Sequence, residues 1–137
     1  MTGKDIDVQS NSKERSQTRG SARPVLSERE AEFLAENMLG RVATVSPSLQ
    51  PHVVPVAYRF DGRSIFFGGW NLTRSLKFRN LSANGKVAIV VDEVVSTRPW
   101  RARGLEVRGN AEPVVTEDGS TIVKITPNKA RSWGLGD

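Results

Sequence analysis

Thr73, Arg74, Ser75 and Lys77 stand within five residues of one another, and Arg79 follows two positions on. Hydroxyls and cations packed into so short a run are the groups that hold a phosphate or another anion. No acidic side chain lies between Asp61 and Asp92 to neutralise them. If a helix begins near Thr73, its first backbone N–H groups lack intrahelical acceptors, and the helix dipole favours negative charge there. The run follows "SIFFGG", so Gly68 and Gly69 would let a flat ligand approach the backbone closely. The same residues also suit an amphipathic helix with a wet basic face and Thr73 as a plain N-cap. Residue types alone leave both readings open. Arg79 belongs on another side of that helix and reads as solvated.

A second cationic group, "TRPWRARG" at 97–104, sets Arg98, Arg101 and Arg103 around Trp100. Trp100 stacked on a base with arginines on phosphates would be a nucleic-acid mode. A loop anchored by a buried tryptophan is the plainer reading. Other chemistries are poorly supplied. There is no cysteine, so disulfides, zinc–thiolate sites and thiol nucleophiles are excluded. His52 is the single histidine, which rules out a multi-histidine metal site within one chain. His52 reads as structural or as a peripheral contact rather than a base. Asp92 and Glu93 are adjacent, so on a strand they face opposite ways and make a poor carboxylate pair. No residue is assigned as catalytic and no metal is expected. A protein with so few reactive groups can still catalyse when a cofactor brings the chemistry.

The elements that must position these groups are short. "LSEREAEFLAENMLG" reads as a helix, with Ser27 and Glu30 forming a capping box, Phe33, Leu34, Met38 and Leu39 as its apolar stripe, and Gly40 at its left-handed end. "RVATVS" and "PHVVPVAYRF" read as strands, the second with Val54, Val56, Tyr58 and Phe60 on one face. Pro51 and Pro55 remove ladder donors and argue for an edge there. "DG" at 61–62 marks a hairpin into "SIFFGG". A short helix over "TRSLKFRNLSAN" follows, then "KVAIVVDEV", apolar enough to be buried on both faces. "STRPWRAR" reads as a loop. "GLEVRGNAEPVV" alternates, with Leu105, Val107, Gly109 and Ala111 inward. "STIVKITP" adds a strand, and "NKARSWGL" a possible last one. The expected fold is mainly β: a small antiparallel barrel of six or seven strands with two or three short helices.

Of the 137 residues, the first 24 are polar and are expected to form a disordered tail, leaving 25–137 as the folded domain. A domain of that size buries a core with a small margin, which pairing with a second subunit would widen. The net charge of +5 permits anionic partners. The tail mixes five basic with three acidic residues, which argues against a nucleic-acid arm. No segment has the apolar core of a signal peptide or the length of a membrane span, so the expected location is the cytoplasm.

The order of segments resembles the pyridoxamine-phosphate-oxidase-like flavin and deazaflavin enzymes, in particular the actinobacterial branch that uses coenzyme F420. The resemblance runs from about Phe33 to Leu135. Its carriers are "GRVATVSPSLQPHVVPVAYRFDG", "TRSLKFRNLSANGKVAIVVDEV", "RPWRARGLEVRGNAEPV" and "ITPNKARSWGL". It implies a split β-barrel and a tight homodimer with cofactor sites at the interface. It implies a tricyclic ring lying against Val54, Pro55 and Val56. It implies a cofactor phosphate held by Thr73, Arg74, Ser75 and Lys77. Trp100 and Arg101 would close the site from the second subunit, and Arg98, Arg101 or Arg103 would meet the acidic tail of the deazaflavin. The chain ends "RSWGLGD", without the basic segment that grips substrate in true pyridoxamine-phosphate oxidases, so that oxidation is not expected. The function implied is an F420-dependent reductase passing a hydride to a conjugated, biliverdin- or quinone-like small molecule. The alternatives are an FMN-binding oxidoreductase on the same barrel, or a non-catalytic cofactor- or haem-binding protein.

Overall fold

The computed structural model describes residues 24–136; the polar N-terminal segment expected to be disordered lies almost wholly outside them. Helix α1 (Glu28–Glu36) begins at Ser27 with both halves of the capping box made: the Ser27 hydroxyl accepts from Glu30 N–H, and the Glu30 carboxylate accepts from Ser27 N–H. Six strands follow: β1 (Leu39–Val45), β2 (Pro51–Phe60), β3 (Ile65–Phe67), β4 (Lys86–Thr97), β5 (Trp100–Val115) and β6 (Thr121–Trp133). Between β3 and β4 come a 3-10 turn (Leu72–Arg74) and helix α2 (Leu76–Ala83). The strands close into an antiparallel barrel in the order β1-β2-β3-β6-β5-β4.

Alternation along the strands fills the interior. Val42, Val56, Tyr58, Ile65, Phe67, Ile89, Val91, Leu105, Val107, Val123 and Ile125 are all buried there. The helices close opposite ends. Phe33 and Leu34 of α1 join the core, and the buried Tyr58 hydroxyl donates to the Leu34 carbonyl at 2.7 Å. Burial raises the Tyr58 pKa far above the ordinary phenol value, so it serves as a neutral donor. At the other end Leu72 and Leu81 are buried, and the buried Asn80 amide donates to Thr44 Oγ1 at 3.0 Å. This bond lets a polar residue of α2 sit over the barrel mouth without an unpaired group.

Several elements depart from what the residue pattern suggests. Helix α1 stops at Glu36; Met38 and Leu39 are exposed, and Leu39 already pairs with Ala57 in the sheet. Gly40 is therefore a strand residue and not a helix end: a Cβ there would lie 3.0 Å from the Ile89 side chain. The stretch 97–104 is no loop. Strands β4 and β5 pair out to Thr97 and Trp100, so Arg98 and Pro99 alone form the tip of a long hairpin. The two C-terminal strand candidates merge into β6, with Asn128 bulged out between Pro127 and Lys129. Strand β4 is buried on one face only; Ala88 and Val90 on its outer face are half-buried, and Val94 is exposed.

The β1–β2 turn carries a strained residue. Leu49 has φ +70°, is 77% exposed, and donates its N–H to the Ser46 carbonyl. A left-handed leucine with no packing in return is unfavourable relative to glycine. Leu49→Gly should therefore stabilise the fold by about 1 kcal/mol, read as a rise in melting temperature of a few degrees.

Candidate functional site

Strand β2 is paired unequally. Pro51–Ala57 pair with β1, whereas only Tyr58–Phe60 reach β3. From Pro51 to Ala57 its second edge has no strand partner, as the two prolines suggest. Strand β3 ends at Phe67, opposite Tyr58, and the chain continues past Gly68 toward the α2 end of the barrel. Gly68, Ala57, Tyr58 and Ile122 line a shallow depression at this point. Beyond it, the 3-10 turn and α2 present the cationic run.

Helix α2 is capped two residues later than Thr73. Leu72 is buried and holds Leu72–Arg74 in a separate 3-10 turn, and the N-cap is Ser75. The Ser75 hydroxyl is already spent: it donates to the Leu72 carbonyl at 2.6 Å and accepts from Phe78 N–H at 3.2 Å. What Ser75 offers an anion is the helix start itself, since the N–H groups of Leu76 and Lys77 have no intrahelical acceptor. Thr73 and Arg74 are exposed and Lys77 is half-buried. Neither Arg74 nor Lys77 forms an ion pair with a described residue, whereas Arg41, Arg103 and Arg108 all do. Arg79 is exposed and donates to the Arg74 carbonyl.

The free edge of β2 and this cradle share one end of the barrel. Asn80 of α2 bonds Thr44, and Thr44 pairs in register with His52, two residues before Val54. Val54 is half-buried and packs against the core. Val56 is 6% exposed and points inward, so only its backbone can face a ligand, while Pro55 points outward. His52, read from the sequence as peripheral, carries the one unsatisfied buried side-chain atom noted among the described residues, its Nδ1. Its register opposite Thr44 puts it at this same end, which its neighbours in sequence do not reveal.

Trp100 and Arg101 lie elsewhere. They sit at the hairpin tip, ten residues along β5 from Asn110, whose partner Lys86 adjoins the end of α2. That is roughly 30 Å at the rise of a strand. Within one chain the structure does not bring Trp100 and Arg101 to the cradle. Both are exposed, as is Arg98. Arg103 is occupied: it pairs with Glu93 and lies 5.3 Å over the Phe33 ring, which withdraws it from the arginines available to an anionic tail.

The outer face of β1, β2 and β4 is apolar across three strands. Ala43 pairs with Val53 on one side and Ala88 on the other, and the next row runs Pro55, Arg41, Val90. Leu39 and Val53 on this face are 50% and 62% exposed. Arg41 is the one cation in these rows and is paired with Asp92 at 2.8 Å.

The chain matches the pyridoxamine 5′-phosphate oxidase family over residues 26–133. It is 32% identical over 117 residues to a 5a,11a-dehydrotetracycline/5a,11a-dehydrooxytetracycline reductase of Streptomyces rimosus, covering 79% of this chain and 82% of that one. Among solved structures, one described as an F420 reductase is 27% identical, with TM-score 0.60, over 73% of this chain and 94% of that chain. A flavin adenine dinucleotide binding protein of Mycobacterium smegmatis, 20% identical over 81% of this chain and 98% of its own, shares the fold with TM-score 0.61. The reductase relationship, added to the family match, supports an oxidoreductase on this barrel. Among the described residues, no helix is long and apolar enough to cross a membrane.

Proposed function

Because the chain belongs to the pyridoxamine 5′-phosphate oxidase family, we propose that it is an F420-dependent reductase acting as a homodimer on a conjugated organic acceptor in the cytoplasm. The observation that carries this reading is the open cationic cradle beside the unpaired edge of β2. The residues present fit a phosphate-bearing flat cofactor. Arg74 and Lys77 have no ion partner among the described residues, two N–H groups of α2 are open, and β2 offers unpaired backbone groups from Pro51 to Ala57. When bound, the deazaflavin supplies the hydride.

The protein's own residues bind, orient and exclude water. Arg74 and Lys77 hold the phosphate. The backbone of Val54–Val56 supports the ring, with Pro55 as a rigid segment that donates no hydrogen bond. The apolar face of β1, β2 and β4 packs against its counterpart in a second copy, and the partner's hairpin brings Trp100 and Arg101 over the cradle. Because the hairpin tip and the cradle are far apart in one chain, a site using both needs two copies. Arg98 and Arg101 suit the acidic tail of F420. The reductase relative acts on dehydrotetracyclines, and a conjugated polycyclic acceptor suits the same open, shallow site.

Titration of the purified protein with F420, FMN and haem, followed by absorbance and fluorescence, tests this reading. Micromolar F420 binding without FMN binding is the expected result. Tight FMN binding alone would replace it with a flavin enzyme on the same barrel, and tight haem binding alone with a binding protein.

A further inference from the structure

Trp70 is 94% exposed, more than any other large apolar side chain among the described residues. It is not on a frayed end. Phe67 on one side is 2% exposed and Leu72 on the other 5%, so four residues span two core anchors. Within that span Gly69 has φ +140° and Asn71 φ +60°. Two left-handed residues turn the chain out at Trp70 and back, and Asn71 takes this conformation without being glycine. An indole held in water by a short, anchored turn is a surface prepared for an aromatic or apolar partner.

Its surroundings identify the partner. Trp70 lies in the acid-free run between Asp61 and Asp92, three residues before Thr73 and four before Arg74. An anion carrying a flat ring complements both features, the cations taking its charge and the indole its face. Trp70 is also off the apolar face of β1, β2 and β4, which is where a second copy would pack. We infer that Trp70 stacks on the planar ring of the anionic ligand whose phosphate the Arg74–Lys77 cradle holds, and so sets the preference for ring-bearing ligands. This rests on the cradle reading given above.

The test compares Trp70→Ala, Trp70→Phe and the Arg74→Ala/Lys77→Ala double variant in equilibrium binding of F420 and of FMN, at low and high salt. Trp70→Ala should raise Kd about ten- to a hundredfold, the range of a lost aromatic stack, by the same factor at both salt concentrations. Trp70→Phe should recover most of the affinity. The double variant should lose affinity chiefly at low salt. The melting temperature of ligand-free Trp70→Ala should equal that of the wild type, because the indole makes no core contact. Wild-type affinity in Trp70→Ala, alongside a defective double variant, would overturn this inference and leave the cradle standing. Wild-type affinity in both, or no binding to the unmodified protein, would overturn the two together. Dissociation of a dimer by Trp70→Ala would mean that the indole covers a second copy, and would also overturn it.

Discussion

Replacing Arg74 and Lys77 together by alanine should lower cofactor affinity by about a hundredfold and leave the fold nearly untouched. A hydrogen bond to a charged group is worth roughly 1.5–3 kcal/mol. Two such contacts at a solvent-facing site, taken at the lower end, give about 3 kcal/mol, or two decades in Kd. The cost to stability should be small because neither side chain makes an ion pair with a described residue and neither belongs to the core. Ser75 stays intact in this variant. Its hydroxyl caps α2, so Ser75→Ala would cost about 1 kcal/mol of stability and blur the reading. The measurement is a pair of isotherms at two salt concentrations with a melting curve for each protein. If the run were only a solvated helix face, affinity would not change.

The second large effect concerns the apolar face. If the protein pairs through this face as proposed, Val53→Glu should convert the dimer to monomers and abolish cofactor binding, even though Val53 is far from Arg74 in sequence. Val53 is 62% exposed and ends a cross-strand row with Ala43 and Ala88. In a lone chain a glutamate there stays in water and costs little. In a dimer built on this face it becomes a buried, unpaired carboxylate, twice over by symmetry, which costs several kcal/mol. A loss of about 3 kcal/mol or more raises the dimer Kd by at least two decades. Sedimentation analysis with and without cofactor reads the effect. A wild type that is monomeric at all concentrations would overturn the dimer, and a variant that still dimerises would move the interface off this face.

Much of the barrel is legible in the residues because its signals are local. The Ser27–Glu30 capping box closes as the spacing requires, and the alternation from Leu105 to Ala111 gives the buried face directly. The Asp61–Gly62 turn forms, with the Asp61 carboxylate accepting from Arg63 and Ser64 N–H. The prolines at 51 and 55 mark an edge. The candidate site is less legible because tertiary contacts decide it. Thr73 and Ser75 are equally good caps in isolation; the burial of Leu72 chooses Ser75. Arg103 looks like its neighbours Arg98 and Arg101, and only the cross-strand Glu93 and the Phe33 ring set it apart. Pro99 suggests a loop, yet register with β4 carries the pairing to the hairpin tip. The distance between that tip and α2 depends on strand register, and so does the proposal that a second copy completes the site.

Completion of the site by a second copy is the central proposal, and mixing two defective proteins tests it most directly. One carries Arg74→Ala and Lys77→Ala; the other carries Trp100→Ala and Arg101→Ala. Each alone should bind F420 poorly. After subunit exchange at equal amounts, a mixed dimer has one site with both defects and one with none. About a quarter of all sites should then bind with wild-type affinity, by the statistics of a two-fold dimer. No recovery of high-affinity binding after verified subunit exchange would show that cradle and hairpin do not meet across two copies, and would contradict the account.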